Sequence, residues 1–194
     1  MINHKHKFIF VHIGKTGGTS IEHVLDPNVK LDTNKRVSGT GNTVFKGKHW
    51  KAIDYKNKYE KIFESYFKFA FVRNPWELEV SLFEWFKRAL PAYNMTLANH
   101  LRGRSRSNKL GFDIWTCDTN GNNLVDFIGR FENLQKDFDI ICDKIGIPQR
   151  ELPHKNKNET KHKHYTEYYD DKTSQIVAKK YAKDIEYFGY KFGE

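Results

Sequence analysis

The residues best suited to chemistry are Lys15–Ser20, which read Lys-Thr-Gly-Gly-Thr-Ser. A cationic side chain, glycines that let the backbone curl close to a ligand, and hydroxyl donors are typical of a cradle for phosphate or sulfate. An ordinary turn into a helix needs only a glycine and an N-cap hydroxyl, so the combination favours an anion site. It is not a Walker A loop, in which the lysine follows the second glycine, because Lys15 precedes both Gly17 and Gly18.

The residues on either side of Lys15–Ser20 predict a strand before it and a helix after it. Phe8–Ile13 is a nearly continuous apolar run, which is typical of a strand buried on both faces. Ile21, Val24 and Leu25 then recur at the spacing of one helical face. In this arrangement the backbone N–H groups and the positive end of the helix point towards a bound anion.

A second candidate site follows the second predicted strand, Tyr66–Val72. Arg73 lies at the exit of this strand, where Asn74 and Pro75 provide the N-cap and the first residue of a helix. Ser81 lies about two turns into that helix. Alone, the arginine could be a surface cation and the serine a small packing residue, but together they indicate two donors to a second phosphate.

The rest of the chain predicts an α/β fold. A further strand is indicated by Leu124–Phe131, helices by Ala52–Phe63, Leu134–Ile145 and Lys172–Asp184, and irregular segments by Asn28–Lys48, Pro91–Asn123 and Leu152–His164. Alternating strands and helices favour a three-layer, P-loop-like parallel sheet flanked by helices on both faces, as a single domain over residues 1–194. Ligands bind beyond the carboxyl ends of such strands, so we expect Lys15–Ser20 and Arg73 at one edge.

The composition of the chain indicates which kinds of partner it binds. The chain has 194 residues and a net charge of +9, which implies an anionic partner such as a nucleotide, an acidic glycan or nucleic acid. Two cysteines, Cys117 and Cys142, give no disulfide framework and are expected to stay reduced. No apolar run approaches the ~20 residues of a membrane span, and no signal peptide is visible, so we expect a cytoplasmic protein without a membrane anchor.

Two motifs resemble those of the sulfotransferases that use 3′-phosphoadenosine 5′-phosphosulfate (PAPS). VHIGKTGGTS is similar to their 5′-phosphosulfate-binding loop, and FVRNPWELEVSLF to their 3′-phosphate-binding segment. The branch that it resembles includes heparan sulfate 2-O-sulfotransferases and small microbial carbohydrate-type sulfotransferases. The similarity continues through GRFENLQKDF, LPHKNK and YAKDIEYFGYKF and so covers nearly the whole chain. Gly14 replaces the proline that is common in the family's loop, which should only loosen the turn.

The resemblance implies a role for each matching residue. The 5′-phosphosulfate of PAPS would be held by Lys15, Thr16, Gly17, Gly18, Thr19 and Ser20, and its 3′-phosphate by Arg73 and Ser81. Lys15 would also stabilise charge in the transition state. The segment Lys48-His49-Trp50 resembles the position of the family's general base, which makes His49 the candidate base. His12, Glu22 and Asp54 are the alternatives.

The function implied is transfer of a sulfuryl group from PAPS to an acceptor hydroxyl, with a carbohydrate as the expected acceptor and without a metal. A kinase-like phosphoryl transferase is disfavoured by the position of Lys15 and by the lack of Mg²⁺-binding carboxylates near the loop. A basic nucleic-acid-binding domain could use Arg102–Lys109 and Lys155–Lys163, but no recognition helix, zinc site or RNA motif is visible, so we expect no nucleic-acid partner. A donor-binding protein without activity is a third alternative. The sequence leaves the acceptor and the oligomeric state open.

Overall fold

The computed structural model describes residues 1–26, 43–44, 49–90, 92–104, 111–153 and 163–194. These residues divide into two compact units. Unit 1 consists of Met1–Val72 and Asp113–Asn156, and unit 2 of Arg73–Phe112 and Lys157–Glu194. The prediction of a single domain over residues 1–194 stays a prediction.

Unit 1 contains a five-stranded sheet. Its strands are β1 (Ile2–Asn3), β2 (Phe8–Val11), β3 (Thr43–Val44), β4 (Phe67–Val72) and β5 (Phe127–Arg130), in the order β3-β1-β2-β4-β5. Its helices are α1 (Gly18–Leu25), α2 (Ala52–Lys58), α3 (Glu60–Ser65), α6 (Asp113–Thr116) and α7 (Leu134–Ile145). Phe131–Asn133 forms a short 3₁₀ turn before α7.

The strands β2, β4 and β5 run parallel, as the sequence predicts. Val11 pairs with Ala70 at the carboxyl end of β2, so β2 and β4 end at the same edge of the sheet. The short strands β1 and β3 add an antiparallel edge that the sequence does not predict. Strand β3 falls within the predicted loop Asn28–Lys48; the other residues of that loop lie outside the described part of the chain.

Burial on both faces of the parallel strands confirms the three-layer α/β class. Successive residues of a strand point to opposite faces. Phe8 and Phe10 of β2 point to one face, where they share a core with Ile21 of α1 and Phe138 of α7. Ile9, between the two phenylalanines, points to the other face and is fully buried as well. Because both faces are covered, this central strand has the continuous apolar composition seen in the sequence.

Unit 2 is helical in its described residues. It contains α4 (Pro75–Ala89), α5 (Leu97–Arg104), α8 (Asp171–Lys180), α9 (Ala182–Phe188) and the 3₁₀ turn Tyr165–Tyr168. The side chain of Asn74 accepts a hydrogen bond from the Trp76 N–H, which confirms the predicted N-cap of α4. Buried Glu79 joins the helices, because one carboxylate oxygen accepts from the Tyr181 hydroxyl at 2.6 Å and the other lies 3.3 Å from His100 Nε2.

Several predicted boundaries differ from the structure. The predicted helix Ala52–Phe63 divides at Tyr59 into α2 and α3, and the predicted helix Lys172–Asp184 divides at Tyr181 into α8 and α9. The irregular segment Pro91–Asn123 includes the helices α5 and α6. Short helices of this kind carry too few apolar residues for a clear period, so tertiary packing decides them.

Candidate active site

The loop between β2 and α1 contains two residues with a left-handed backbone. Gly17 is the N-cap of α1 with a φ of +82°, a left-handed conformation that suits glycine. Lys15 also has a positive φ, +68°, which is uncommon for a residue with a side chain. Such conformations cost of order 1 kcal/mol and cluster at functional sites, so the backbone of Lys15 supports its assignment to the site.

The two glycines are required by close packing beneath the loop. A Cβ on Gly17 would lie 2.8 Å from the side chain of Leu134, and one on Gly18 would lie 2.3 Å from Nε2 of His12. Both distances are shorter than ordinary van der Waals contacts. From the sequence, these glycines are predicted to let the backbone come close to a ligand. In the structure they also leave room for the side chain of Leu134 and for the imidazole of His12.

The donors in the loop are mainly backbone N–H groups. The hydroxyl of fully buried Thr16 donates to the carbonyl of Ile13 at 2.9 Å, so this proton stabilises the loop and does not face a ligand. The Ser20 N–H is likewise used, because it donates to the Gly17 carbonyl at 3.0 Å. The N–H groups of Gly18 and Thr19 donate to none of the described residues. They lie at the positive end of α1, where an anion is stabilised.

His49, the candidate base, lies beside this loop in unit 1. Its Nδ1 is 3.2 Å from the backbone carbonyl of His12. A carbonyl oxygen can only accept, so Nδ1 carries the proton and Nε2 holds the lone pair of the neutral ring. A general base needs an unprotonated nitrogen. In this tautomer that nitrogen is Nε2, on the side of the ring away from the His12 carbonyl. Lys48, which precedes it, lies outside the described residues.

The indole of Trp115 on α6 contacts His49. The two ring centroids are 6.3 Å apart at an interplanar angle of 72°, an edge-to-face arrangement. Trp115 is half-buried, and its indole N–H makes no hydrogen bond to the described residues. It lies more than sixty residues from His49 in the sequence, within a segment that the sequence indicates as irregular, so no local signal identifies it.

The alternative bases have other partners. His12 and Glu22 are both buried and form a pair, with Nδ1 2.8 Å from Oε1. Asp54 accepts a hydrogen bond from the Lys51 N–H at 2.9 Å and caps α2. The sequence does not predict the pairing of His12 with Glu22, although each is a polar residue in an apolar pattern. His12 is the fifth residue of the run FIFVHI, and Glu22 follows Ile21 on α1.

Arg73 and Ser81 lie in unit 2. The guanidinium of Arg73 forms a two-point ion pair with Glu77, with distances of 2.9 Å from Nη2 to Oε1 and 3.1 Å from Nε to Oε2. Glu77 and Ser81 are one turn apart on α4, which places them on the same face of the helix. The Ser81 hydroxyl makes no hydrogen bond to the described residues. Glu77 thus orients Arg73, a role that the sequence does not reveal.

The described residues show neither a metal site nor a membrane-spanning helix. They contain no group of three or more His, Cys, Asp and Glu side chains placed to hold a metal ion. None of the described helices combines the length and apolar character needed to cross a membrane. Of the basic segments, Arg102 and Arg104 belong to α5, whereas 105–110 and 154–162 lie outside the described residues.

Comparison with known proteins identifies one family. A sequence model described as the sulfotransferase family matches residues 1–191, which is almost the whole chain. An uncharacterized protein of Archaeoglobus fulgidus is 34% identical over 91 residues, which is 46% of this chain and 76% of that protein. No solved structure matches the chain significantly.

Proposed function

The chain belongs to the sulfotransferase family, and we propose that it transfers a sulfuryl group from PAPS to a hydroxyl of a carbohydrate. The observation that carries this proposal is the loop that follows Lys15, where the N–H groups of Gly18 and Thr19 lie at the positive end of α1 and donate to none of the described residues. We further propose that residues 1–194 act as one catalytic domain of the branch that resembles heparan sulfate 2-O-sulfotransferases.

In this proposal the loop binds the 5′-phosphosulfate of the donor. Lys15 and the loop residues Thr16, Gly17, Gly18, Thr19 and Ser20 surround the anion, and the contribution of Thr16 comes from its backbone because its hydroxyl is bonded to Ile13. Charge on a phosphosulfate is spread over several oxygens, so a ring of N–H donors with one lysine suits it better than a single ion pair.

The 3′-phosphate is assigned to Arg73 and Ser81. The ion pair with Glu77 fixes the plane of the Arg73 guanidinium, a planar cation of the kind that suits a phosphate. Ser81, one turn beyond Glu77 on α4, adds a hydroxyl donor. A nucleotide without a 3′-phosphate would lose these contacts, so they would distinguish PAPS from ATP.

The reaction that follows is an in-line displacement at sulfur. The acceptor hydroxyl gives its proton to Nε2 of His49 while its oxygen forms a bond to sulfur. The bond from sulfur to the bridging oxygen breaks, and adenosine 3′,5′-bisphosphate leaves. Lys15 stabilises the negative charge that develops on the bridging oxygen. The tautomer of His49 supports its role, because the lone pair is on the nitrogen away from the His12 carbonyl.

A carbohydrate acceptor is supported by Trp115 beside His49. Sugar rings pack their C–H faces against aromatic rings, and the indole N–H can donate to a sugar hydroxyl. The net charge of +9 favours acceptors that carry negative charge. A hydroxyl held against Trp115 would lie next to the candidate base.

Thermal denaturation with nucleotides tests donor binding. Adenosine 3′,5′-bisphosphate should raise the melting temperature, because a ligand that binds only the folded state stabilises it by mass action. ATP and adenosine 5′-monophosphate at the same concentration should raise it less, since neither carries a 3′-phosphate. Equal shifts with all three nucleotides would contradict the roles of Arg73 and Ser81, and no shift with any would contradict a PAPS donor.

Arg73→Ala should weaken binding of the bisphosphate by roughly 2–5 kcal/mol, because it removes a charge-assisted contact and leaves Glu77 near the phosphate without this partner. Ser81→Ala should cost about 1 kcal/mol, the usual value of one hydroxyl bond. Calorimetric titration measures both. Glu77→Gln is the matched control, since it keeps the cation and removes a negative charge, and its affinity should not fall as that of Arg73→Ala does. Unchanged affinity in the Arg73 and Ser81 variants would contradict the assignment.

A further inference from the structure

The imidazole of His12 is buried beneath the loop with one nitrogen directed at the start of α1. His12 is only 4% exposed and stacks on Phe10 with the ring centroids 5.5 Å apart. Its Nε2 is the ring atom nearest to the point where a side chain on Gly18 would begin, at 2.3 Å. Nε2 makes no hydrogen bond to the described residues. Nε2 therefore lies against the N-terminal turn of α1, where an anion would bind.

Glu22 determines which protonation states His12 can adopt. The 2.8 Å contact between Nδ1 and Oε1 requires a proton on Nδ1, since an ionised carboxylate can only accept. In a neutral imidazole Nε2 therefore holds a lone pair. An anion beside Nε2 would be repelled by that lone pair, whereas a protonated ring would present an N–H donor. His12 can assist anion binding only as a cation.

The surroundings of Glu22 favour a charged partner. The α-amino group of Met1 and the hydroxyl of Tyr55 interact electrostatically with Glu22. Burial lowers the pKa of the Met1 amine to about 5, against the opposing effect of Glu22, and burial together with Glu22 raises the pKa of Tyr55. Both groups are therefore neutral at neutral pH. Neither group thus balances the charge of Glu22, whose carboxylate contacts the His12 ring directly.

We propose that His12 is a further binding residue for the donor's phosphosulfate, and that its Nε2 takes up a proton from solvent when the anion enters the loop. The proposal rests on the proposed function and adds a residue and a linked proton to it. Before the anion arrives, Lys15 and the positive end of α1 oppose a charge on His12. The ring of His49, 5.1 Å away, would oppose it too if protonated. A bound dianion offsets these charges, so binding and protonation favour each other.

Calorimetry with adenosine 5′-phosphosulfate tests the linkage. This probe has the phosphosulfate but no group that titrates near neutral pH, so a proton that is taken up must go to the protein. Titrations of the full chain at pH 7.5 in two buffers with different ionisation enthalpies give the number of protons exchanged. We expect a net uptake, and an affinity that rises as the pH falls, by at most about tenfold per pH unit for one linked proton. An uptake of zero in the wild-type protein would overturn the proposal, whatever the variants do.

Four variants identify the residue that takes up the proton. His12→Gln should abolish the uptake, and its affinity for the probe should become independent of pH. His49→Gln should keep the uptake, as should His23→Gln, the matched control for a histidine on α1 itself. Uptake that persists in His12→Gln would overturn the proposal. Glu22→Gln should reduce uptake at pH 7.5, because an amide favours the imidazolium less than a carboxylate does.

The donor proposal fails independently of this one. If adenosine 3′,5′-bisphosphate and adenosine 5′-phosphosulfate both fail to bind, the assigned donor is wrong. If both bind without proton uptake, the donor stands and His12 is only a packing partner of Gly18. Loss of uptake in a variant is interpreted only where thermal denaturation shows that the variant is folded.

Discussion

Lys15→Ala is expected to lower both donor affinity and turnover. Its charge meets the phosphosulfate in the ground state and the bridging oxygen more strongly in the transition state. Loss of one preorganised donor of this kind costs ~3–4 kcal/mol of transition-state stabilisation, so we expect kcat to fall ~10²–10³-fold and the Kd of the bisphosphate to rise. Single-turnover rates with saturating PAPS, together with calorimetry, separate the two effects.

Lys7→Ala is the matched control for this variant. Lys7 is also a lysine with a positive φ, +50°, and it precedes β2 at the end opposite the loop. It matches the loss of charge and the left-handed backbone and is separated from the loop by the length of β2. Lys7→Ala should bind the bisphosphate as the wild type does. If the two alanine variants lost the same affinity, the loop lysine would have no specific role and net charge alone would explain the effect.

His49→Ala is expected to lower turnover ~10²–10⁴-fold, the usual range for general acid–base catalysis, with little change in the affinity for the bisphosphate. The reason is that the base takes the proton of the acceptor and makes no contact with the product nucleotide. His49 is exposed, so truncating its side chain to that of alanine removes little packing. Comparison of kcat with the Kd of the bisphosphate measures the separation.

The pH dependence gives a second test of His49. A protonated imidazole cannot accept a proton, so wild-type kcat should fall on acidification, whereas the proton linked to His12 should make donor affinity rise. The His49→Ala variant should lose this fall in kcat. Full activity in His49→Ala would show that the base is another residue. His12 and Glu22 are poor substitutes because they are buried and paired with each other, and Asp54 caps α2.

Much of the loop between β2 and α1 can be predicted from local sequence. Phe8–Ile13, the glycines and the apolar spacing of α1 are consecutive, and each indicates its own structure without knowledge of the rest of the chain. The N-cap at Asn74 is predicted for the same reason, since capping involves neighbouring residues. The parallel order of β2, β4 and β5 follows from the alternation of strands and helices.

What the sequence does not predict depends on contacts between distant residues. Trp115 lies beside His49 only because α6 and α2 pack together. The strand β3 has two residues and no period of its own, so its pairing with β1 cannot be read locally. The residue type of Thr16 does not show that its hydroxyl donates to the carbonyl of Ile13. The sequence gives only a weak indication of the His12–Glu22 pair, namely that two polar residues interrupt apolar patterns.

We propose that the site at this loop transfers a sulfuryl group from PAPS. The most direct measurement is an assay with [³⁵S]PAPS and a panel of glycans, lipids and small alcohols, in which labelled product and adenosine 3′,5′-bisphosphate are quantified together. We predict equal amounts of both with at least one carbohydrate acceptor, unaffected by a chelator of divalent metals and strongly reduced in Lys15→Ala and His49→Ala. Label transfer from [γ-³²P]ATP but none from PAPS would contradict the account and identify a phosphoryl transferase instead.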